Sequence, residues 1–346
     1  SVVTASSSEL GSGWPVMMRG PNDDVFHMNA YYADQFVLPL PEGHRFPMQK
    51  YRLLREALMQ AAPDVRLCEA PAATPGELAL VHTPAYVDAV MSGTLDAAQQ
   101  HSIGFPWSPA MAERACRSVG GTVAACRVAL AGAGIAANLA GGTHHAYADA
   151  GGGFCVFNDV AVAARLMQAE AARAAANTRQ SIRPMPVAIV DLDVHQGNGT
   201  AHVFRHDTTV FTLSLHGARN FPFHKEASDL DVELPDGCTD DTYLESLTVA
   251  LDTLGQRFEP GLVIYLAGAD VHEGDRLGRL KLSADGIEAR DRQVMEWAWQ
   301  RRVPLAFVMA GGYGRHIDDT VAIQVNTYRL ALTYAKRWQN QAPQSR

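Results

Sequence analysis

Val187-Ala-Ile-Val-Asp-Leu-Asp-Val-His195 decides the fold class of this 346-residue chain. An unbroken apolar run of this kind reads as a strand buried on both faces, as in a parallel sheet. The run ends in Asp191, Asp193 and His195, which alternate with Leu192 and Val194. Period-two geometry puts the three polar side chains on one face. Three ionisable groups at a buried strand end are costly unless they are paired or hold an ion. A carboxylate and an imidazole two residues apart can share one divalent first-row metal such as zinc.

Working outward, Leu78–His82, Ala136–Leu139, Val210–Leu215, Leu262–Leu266 and Leu305–Met309 read as further strands. Gln49–Gln60, Pro109–Ala131, Asp159–Ala175, Asp241–Gln256 and Gly286–Arg301 carry apolar residues at helical spacing, and a last helix runs from about Asp318 to Trp338. The alternation predicts one α/β domain with helices on both faces of the sheet. No linker, repeat or low-complexity tract divides it, and the Ala/Arg-rich Ala171–Arg183 reads as a helix end and surface loop. Residues 1–23, small and Ser-rich, are set apart as a flexible leader, a tag remnant or a transit-peptide boundary, leaving 24–346 as the domain.

Composition narrows the class. With 47% hydrophobic and 19% charged residues, the chain can bury a large core unaided, so a bound metal would be functional and not a staple. A net charge of −8, with no block of like charges, disfavours direct nucleic-acid binding and favours a basic partner. The 5 cysteines form no CxxC pair, which points to a reducing compartment, the cytoplasm first, or an organelle if the leader is a transit remnant. No apolar stretch reaches the roughly 18 residues of a membrane span. Oligomeric state leaves no mark on the sequence.

In parallel sheets, ligands bind beyond the carboxyl ends of the strands. Gly268-Ala-Asp270 follows a strand and offers a third ligand beside Asp193 and His195, leaving a position open for water. Gly141-Gly-Thr-His-His145 follows another, and two imidazoles near such a water can act as base and acid. Asp191 and Asn198 are the candidate partners for their far nitrogens. A carboxylate raises a histidine's basicity more than an amide does, so the two should differ. After the last strand, Gly311 and Gly312 let the backbone pass close to a ligand, and Tyr313 can donate to an oxyanion or simply pack beside the turn. Each feature alone has a plain structural reading. Together they meet the requirements of metal-assisted amide hydrolysis.

These segments, with Gly152-Gly-Phe-Cys-Val-Phe-Asn-Asp159 and Asp191-Leu-Asp-Val-His-Gln-Gly-Asn-Gly199, resemble the motif set of histone deacetylases and acetylpolyamine amidohydrolases, in the family's order from about Tyr32 to Leu332. Gly104-Phe-Pro-Trp-Ser-Pro109 and Asn220-Phe-Pro-Phe-His-Lys225 are similar to class IV deacetylases and their bacterial relatives. The resemblance implies an arginase-like fold, with an eight-stranded, mainly parallel sheet, and Zn²⁺ held by Asp193, His195 and Asp270. It implies that His144 and His145 are the acid/base pair, resting against Asp191 and Asn198, and that Tyr313 polarises the carbonyl. It further implies a substrate tunnel walled by Phe154 and Phe221, with Gly153 and Leu277 at its rim and Gly311 and Gly312 beside it. Structural K⁺ would sit at Asp191, Asp193, His195, Ser214 and Leu215, largely on backbone oxygens. Arg45 matches an arginine that lines an internal cavity below the zinc in some members, and a helix-start salt bridge is its other reading.

Two departures bear on substrate. The rim loop Ile103–Pro109 lacks the acidic residue with which many protein deacetylases grip a peptide backbone. Thr143 stands where several relatives have a bulky aromatic, which suggests an enlarged pocket and acyl chains longer than acetyl. The expected substrate is an acylated lysine of a protein. An acetylated polyamine or other small amine is the alternative, and Glu273 and Asp275 keep it open. A non-catalytic acyl-lysine reader fits less well because every matched position is chemically competent, and a two-metal hydrolase because two metals need about twice the carboxylates and histidines that the cleft offers.

Overall fold

A computed structural model describes residues 26–177 and 183–341; the leader assigned to 1–23 and most of the loop expected before Arg183 lie outside them. Eight strands form one sheet: β1 (Met28–Tyr32), β2 (Val65–Glu69), β3 (Ile135–Asn138), β4 (Val187–Asp191), β5 (Val210–Gly217), β6 (Leu230–Leu234), β7 (Leu262–Leu266) and β8 (Leu305–Val308). Their order is β2-β1-β3-β8-β7-β4-β5-β6, and every pairing is parallel.

Strand alternation divides the core into two layers. Ala188, Val190, Val263 and Tyr265 face one side, packed with α1 (Lys50–Ala61), α8 (Asp240–Arg257), α9 (Ala284–Gln300) and α10 (Ile317–Gln341). Val187, Ile189, Leu262 and Ile264 face the other, against α3 (Pro84–Ser92), α5 (Pro109–Val128) and α6 (Asp159–Asn177). Among the described residues, no helix is long and apolar enough to cross a membrane.

The structure overturns one expected strand. Leu78–His82 is the end of the short helix α2 (Pro75–Leu78) and the turn after it. Thr74 caps that helix in a reciprocal box with Glu77, and Pro75 takes the first helical position, so local capping outweighs the apolar run. The sequence reading also missed β1, β2 and β6, together with α3, α4 (Ala97–Ile103) and α7 (Asn198–Phe204).

Candidate active site

The loops after β3, β8, β7 and β4 emerge side by side because those strands are neighbours. Their last rows are flush: Asn138 is level with Val308, Val308 with Leu266, and Leu266 with Asp191. Segments far apart in sequence, 140–145, 192–198, 268–270 and 309–313, therefore meet over one end of the sheet.

Asp193, His195 and Asp270 each offer one donor atom to a common space, all within 4.8 Å of one another. His195 Nδ1 lies 2.9 Å from Asp193 Oδ1 and 3.2 Å from Asp270 Oδ2. Asp193 Oδ2 accepts from Gly311 N at 2.7 Å, and Asp270 Oδ1 from Val194 N at 2.9 Å. Asp270 Oδ2 is buried and makes no hydrogen bond. An orphaned carboxylate oxygen in the interior is expensive, and one imidazole with two carboxylates is a donor set that suits Zn²⁺. Position 311 must be glycine here: a Cβ would stand 1.9 Å from Asp270 Oδ2.

The two histidines of the β3 loop have unlike partners. His144 Nδ1 is 2.6 Å from Asp191 Oδ2, and His145 Nδ1 is 2.6 Å from Asn198 Oδ1. Burial pulls His144 down, but Asp191 and Asp193 outweigh it, and its pKa is raised. Burial and the charges of His144 and His195 push His145 well below the usual histidine range, which Asn198 offsets only in part. Burial raises Asp270, and the neighbouring Asp193 carboxylate adds to it. For Tyr313, burial and then the charges of Asp193 and Asp270 hold the phenol protonated.

Behind these groups lies a cavity of about 80 Å³, whose wall includes Thr143, Phe46, Tyr51, Met111, Arg114 and Gly311. In front lies an outer groove of about 920 Å³, with Gly153, Phe154, Phe221 and Leu277 on its walls. Phe154 borders both spaces and holds φ of 67°, a left-handed conformation unusual for a bulky residue. The Phe221 ring stands edge-on to His145 at 4.9 Å. Gly312 lines neither space; it faces Thr320, and its carbonyl accepts from Lys50 Nζ.

Arg45 is a correction. It borders the outer groove and not the internal cavity. His44 turns inward to bond Gly104 O, and Phe46 packs on Phe105, Phe154 and Tyr313, which leaves the residue between them facing out. The cation on the cavity wall is Arg114, with its guanidinium over the Tyr51 ring. Lys50, fully buried, sits 5.2 Å from the Tyr313 ring. No pattern marked either residue, because each lies within an ordinary helix start.

Two other contributors were missed. Asp159 accepts from the backbone N–H of Gly142 and Thr143 and from the Thr143 hydroxyl, pinning the loop that presents the histidines. Its position at the end of the Gly152–Asp159 segment was the available sequence signal. Asn198 Nδ2 donates to Tyr147 Oη, which donates in turn to Glu226 Oε1, and this chain orients the amide oxygen towards His145. Of the positions expected to hold K⁺, Ser214 pairs in register with Asp191, while the Leu215 side chain is in the core, leaving only its backbone oxygen.

Comparison with known proteins agrees with this geometry. Residues 44–327 match the model of the histone deacetylase domain. The chain is 43% identical, over 84% of its length and 93% of the relative's, to an uncharacterised protein of Picosynechococcus. It is 38% identical to histone deacetylase 2 of Arabidopsis thaliana over 60% of this chain and 51% of that one. It is 32% identical to the acetoin utilization protein AcuC of Bacillus subtilis, over 77% and 71%. The fold is also that of the crystal structure of a histone deacetylase homologue from Aquifex aeolicus, with a TM-score of 0.74 at 22% identity over 91% of this chain and 89% of that one. The matched domain runs through all four strand-end loops, and the chain is a hydrolase of the histone deacetylase family.

Proposed function

We propose that this protein is a zinc-dependent deacylase that hydrolyses the amide of N-acyl-lysine. The observation that carries the reading is the convergence of Asp193, His195 and Asp270 around an orphaned carboxylate oxygen, directly beside two histidines of opposite basicity. Zn²⁺ held by these three residues would polarise the substrate carbonyl and lower the pKa of a water towards about 7.

The chain's own residues supply the rest. His145 donates its Nδ1 proton to Asn198 Oδ1, which leaves Nε2 with a free lone pair. It is neutral near pH 7 and takes the proton of the attacking water at Nε2, then returns it to the leaving lysine amine. His144, paired with Asp191, keeps its proton and adds positive charge beside the developing oxyanion. Tyr313 donates its phenolic proton in a hydrogen bond to that oxyanion from a buried position. Phe154 and Phe221 would flank the lysine stem, with Gly153 and Leu277 at the rim and Gly311 beside the scissile bond. Asp191, Asp193, His195, Ser214 and Leu215 would hold a K⁺ ion through their oxygens, a role supported by Asp191 and Ser214 lying side by side in the sheet.

The cavity size bears on acyl length. This space of about 80 Å³, bordered by Phe46, Tyr51, Met111 and Thr143, would receive the acyl group. Thr143 borders it with its hydroxyl tied to Asp159, and its small side chain supports room for an acyl chain longer than acetyl.

The test is metal content together with hydrolysis of an acetyl-lysine peptide, before and after chelation and zinc repletion. One zinc per chain and turnover that follows it are expected. Turnover that survives removal of all metal would sink the proposal.

A further inference from the structure

The whole chain carries a charge of −8, yet the groove in front of the site has the opposite sign. Arg45, Arg219, Arg276 and Arg279 all border it, and no Asp or Glu is among its lining residues. Two carboxylates beside the rim are already engaged. Both oxygens of Asp275 accept backbone N–H groups, from Leu277, Gly278 and Tyr313. Asp236 is shared by Arg279 at 2.8 Å and Arg219 at 3.9 Å, so one negative charge faces two positive ones. Arg45 and Arg276 form no ion pair among the described residues; Arg276 instead donates to the carbonyls of Tyr313 and Arg45, which fixes its head at the mouth.

The same rim exposes aromatic surface. Phe223 is 82% exposed and Phe221 42%. Large aromatics and arginines together, open to solvent around a deep entrance, are the residue types enriched where a polypeptide docks. Acylation removes the charge of the target lysine, so the sign of the substrate is set by the residues that flank it. A distal ammonium of a polyamine, or a lysine-rich tail, would be brought up against the arginines and repelled.

We infer that the preferred substrate is an acyl-lysine set among aspartate and glutamate residues of a protein, and that Arg45, Arg219 and Arg279 select it. This rests on the deacylase reading for the acyl-lysine but on the groove alone for the flanks. The selection is a surface electrostatic effect. Two or three exposed pairs give about a tenfold preference at low salt, and screening removes most of it near 0.5 M salt, where the Debye length falls to about 4 Å.

Peptides carrying a non-hydrolysable ketone analogue of acetyl-lysine, flanked by either four glutamates or four lysines, separate the possibilities. Their binding to the zinc-loaded full chain is read by fluorescence anisotropy. The glutamate peptide is expected to bind about tenfold tighter, to lose that advantage at high salt, and to lose it or yield to the lysine peptide in Arg45→Glu/Arg219→Glu. Arg219 is 78% exposed at its side chain, so its replacement does not threaten folding. Equal affinities, or tighter binding of the lysine peptide by the wild type, overturn the inference. So does a single-stranded oligonucleotide that displaces the glutamate peptide more effectively than the unlabelled peptide does. Anisotropy needs no turnover, so a failure to hydrolyse the corresponding amides would count against the deacylase reading and leave the charge preference standing on its own result.

Discussion

Two ionic clusters are buried under the same end of the sheet, and they differ in one respect that separates structure from function. In the first, Asp291 Oδ1 accepts from Arg290 Nε, Arg290 Nη2 and Tyr265 Oη, and Asp291 Oδ2 accepts from Thr327 Oγ1. Arg290 Nη1 donates to the carbonyls of Gly268 and Leu192. One positive charge meets one negative charge, and each polar head is bonded. In the second, Asp191, Asp193 and Asp270 crowd around His144 and His195, and Asp270 Oδ2 makes no hydrogen bond and meets only the His195 ring nitrogen, at 3.2 Å. A closed cluster is complete as folded. An open one with excess carboxylate is built for something else to enter. The two are joined, because Leu192 and Gly268 lie next to or two residues before the proposed ligands Asp193 and Asp270, so the closed pair holds the backbone of the open one.

Removing one carboxylate from each cluster separates the two most clearly. Asp291→Ala strands the Arg290 guanidinium in the core, which costs about 3–5 kcal/mol of folding stability with or without zinc. Asp270→Asn relieves repulsion among carboxylates, so the metal-free variant should melt within a few degrees of metal-free wild type. It should, however, lose stoichiometric zinc and the stabilisation that zinc gives the native state. Thermal melts with and without added zinc, with metal analysis, read both variants. A large loss of stability in metal-free Asp270→Asn, or one zinc still bound to it, would show that the second cluster is as closed as the first.

A next test stays within the open cluster. Tyr313→Phe keeps the ring among Phe46, Phe154 and His195 and removes only the hydroxyl. It should lower kcat by about 10²–10³-fold, as expected for loss of an oxyanion donor, with zinc content and melting temperature close to wild type. Unchanged turnover would reduce Tyr313 to a packing residue.

What could be read from sequence follows the same division between closed and open. The central strands β3, β4, β7 and β8 are buried along their whole length, and their apolar runs announce them. The edge strands β2, Val-Arg-Leu-Cys-Glu, and β6, Leu-Asp-Val-Glu-Leu, are half solvated and carry charges, so no unbroken run marks them. The groups around the proposed metal position were legible because ionisable residues at buried strand ends are rare and demand a reason. Arg45 was misplaced because the side on which a residue faces in an irregular loop depends on what His44 and Phe46 pack against, which is a tertiary fact. The tie from Asn198 through Tyr147 to Glu226 joins residues 51 and 79 positions apart and has no local signature.

The comparison extends to single histidines, and there the expected effect is smallest and most graded. His144 is buried beside a carboxylate that raises its pKa; His82 is 1% exposed and packs on Phe157 and Tyr86. Its Nε2 accepts from Asn158 N at 3.0 Å, which requires the neutral ring, and burial pulls its pKa down to about 4. Asn158 also bonds Ala146 O, so His82 props the loop that carries the proposed acid/base pair. A depressed histidine pKa means that the unfolded chain binds the proton more tightly than the native state. The neutral ring therefore sets no penalty above about pH 6.5, and stability falls as pH drops from 6.5 towards 4, by up to about 3 kcal/mol at the lower limit. His82→Gln keeps an acceptor for Asn158 and cannot titrate, so its melting temperature should fall less than that of wild type between pH 7 and pH 4.5. Parallel declines in the two proteins would mean that His82 already finds its proton in the folded state, and that a buried histidine here needs no carboxylate to hold a charge.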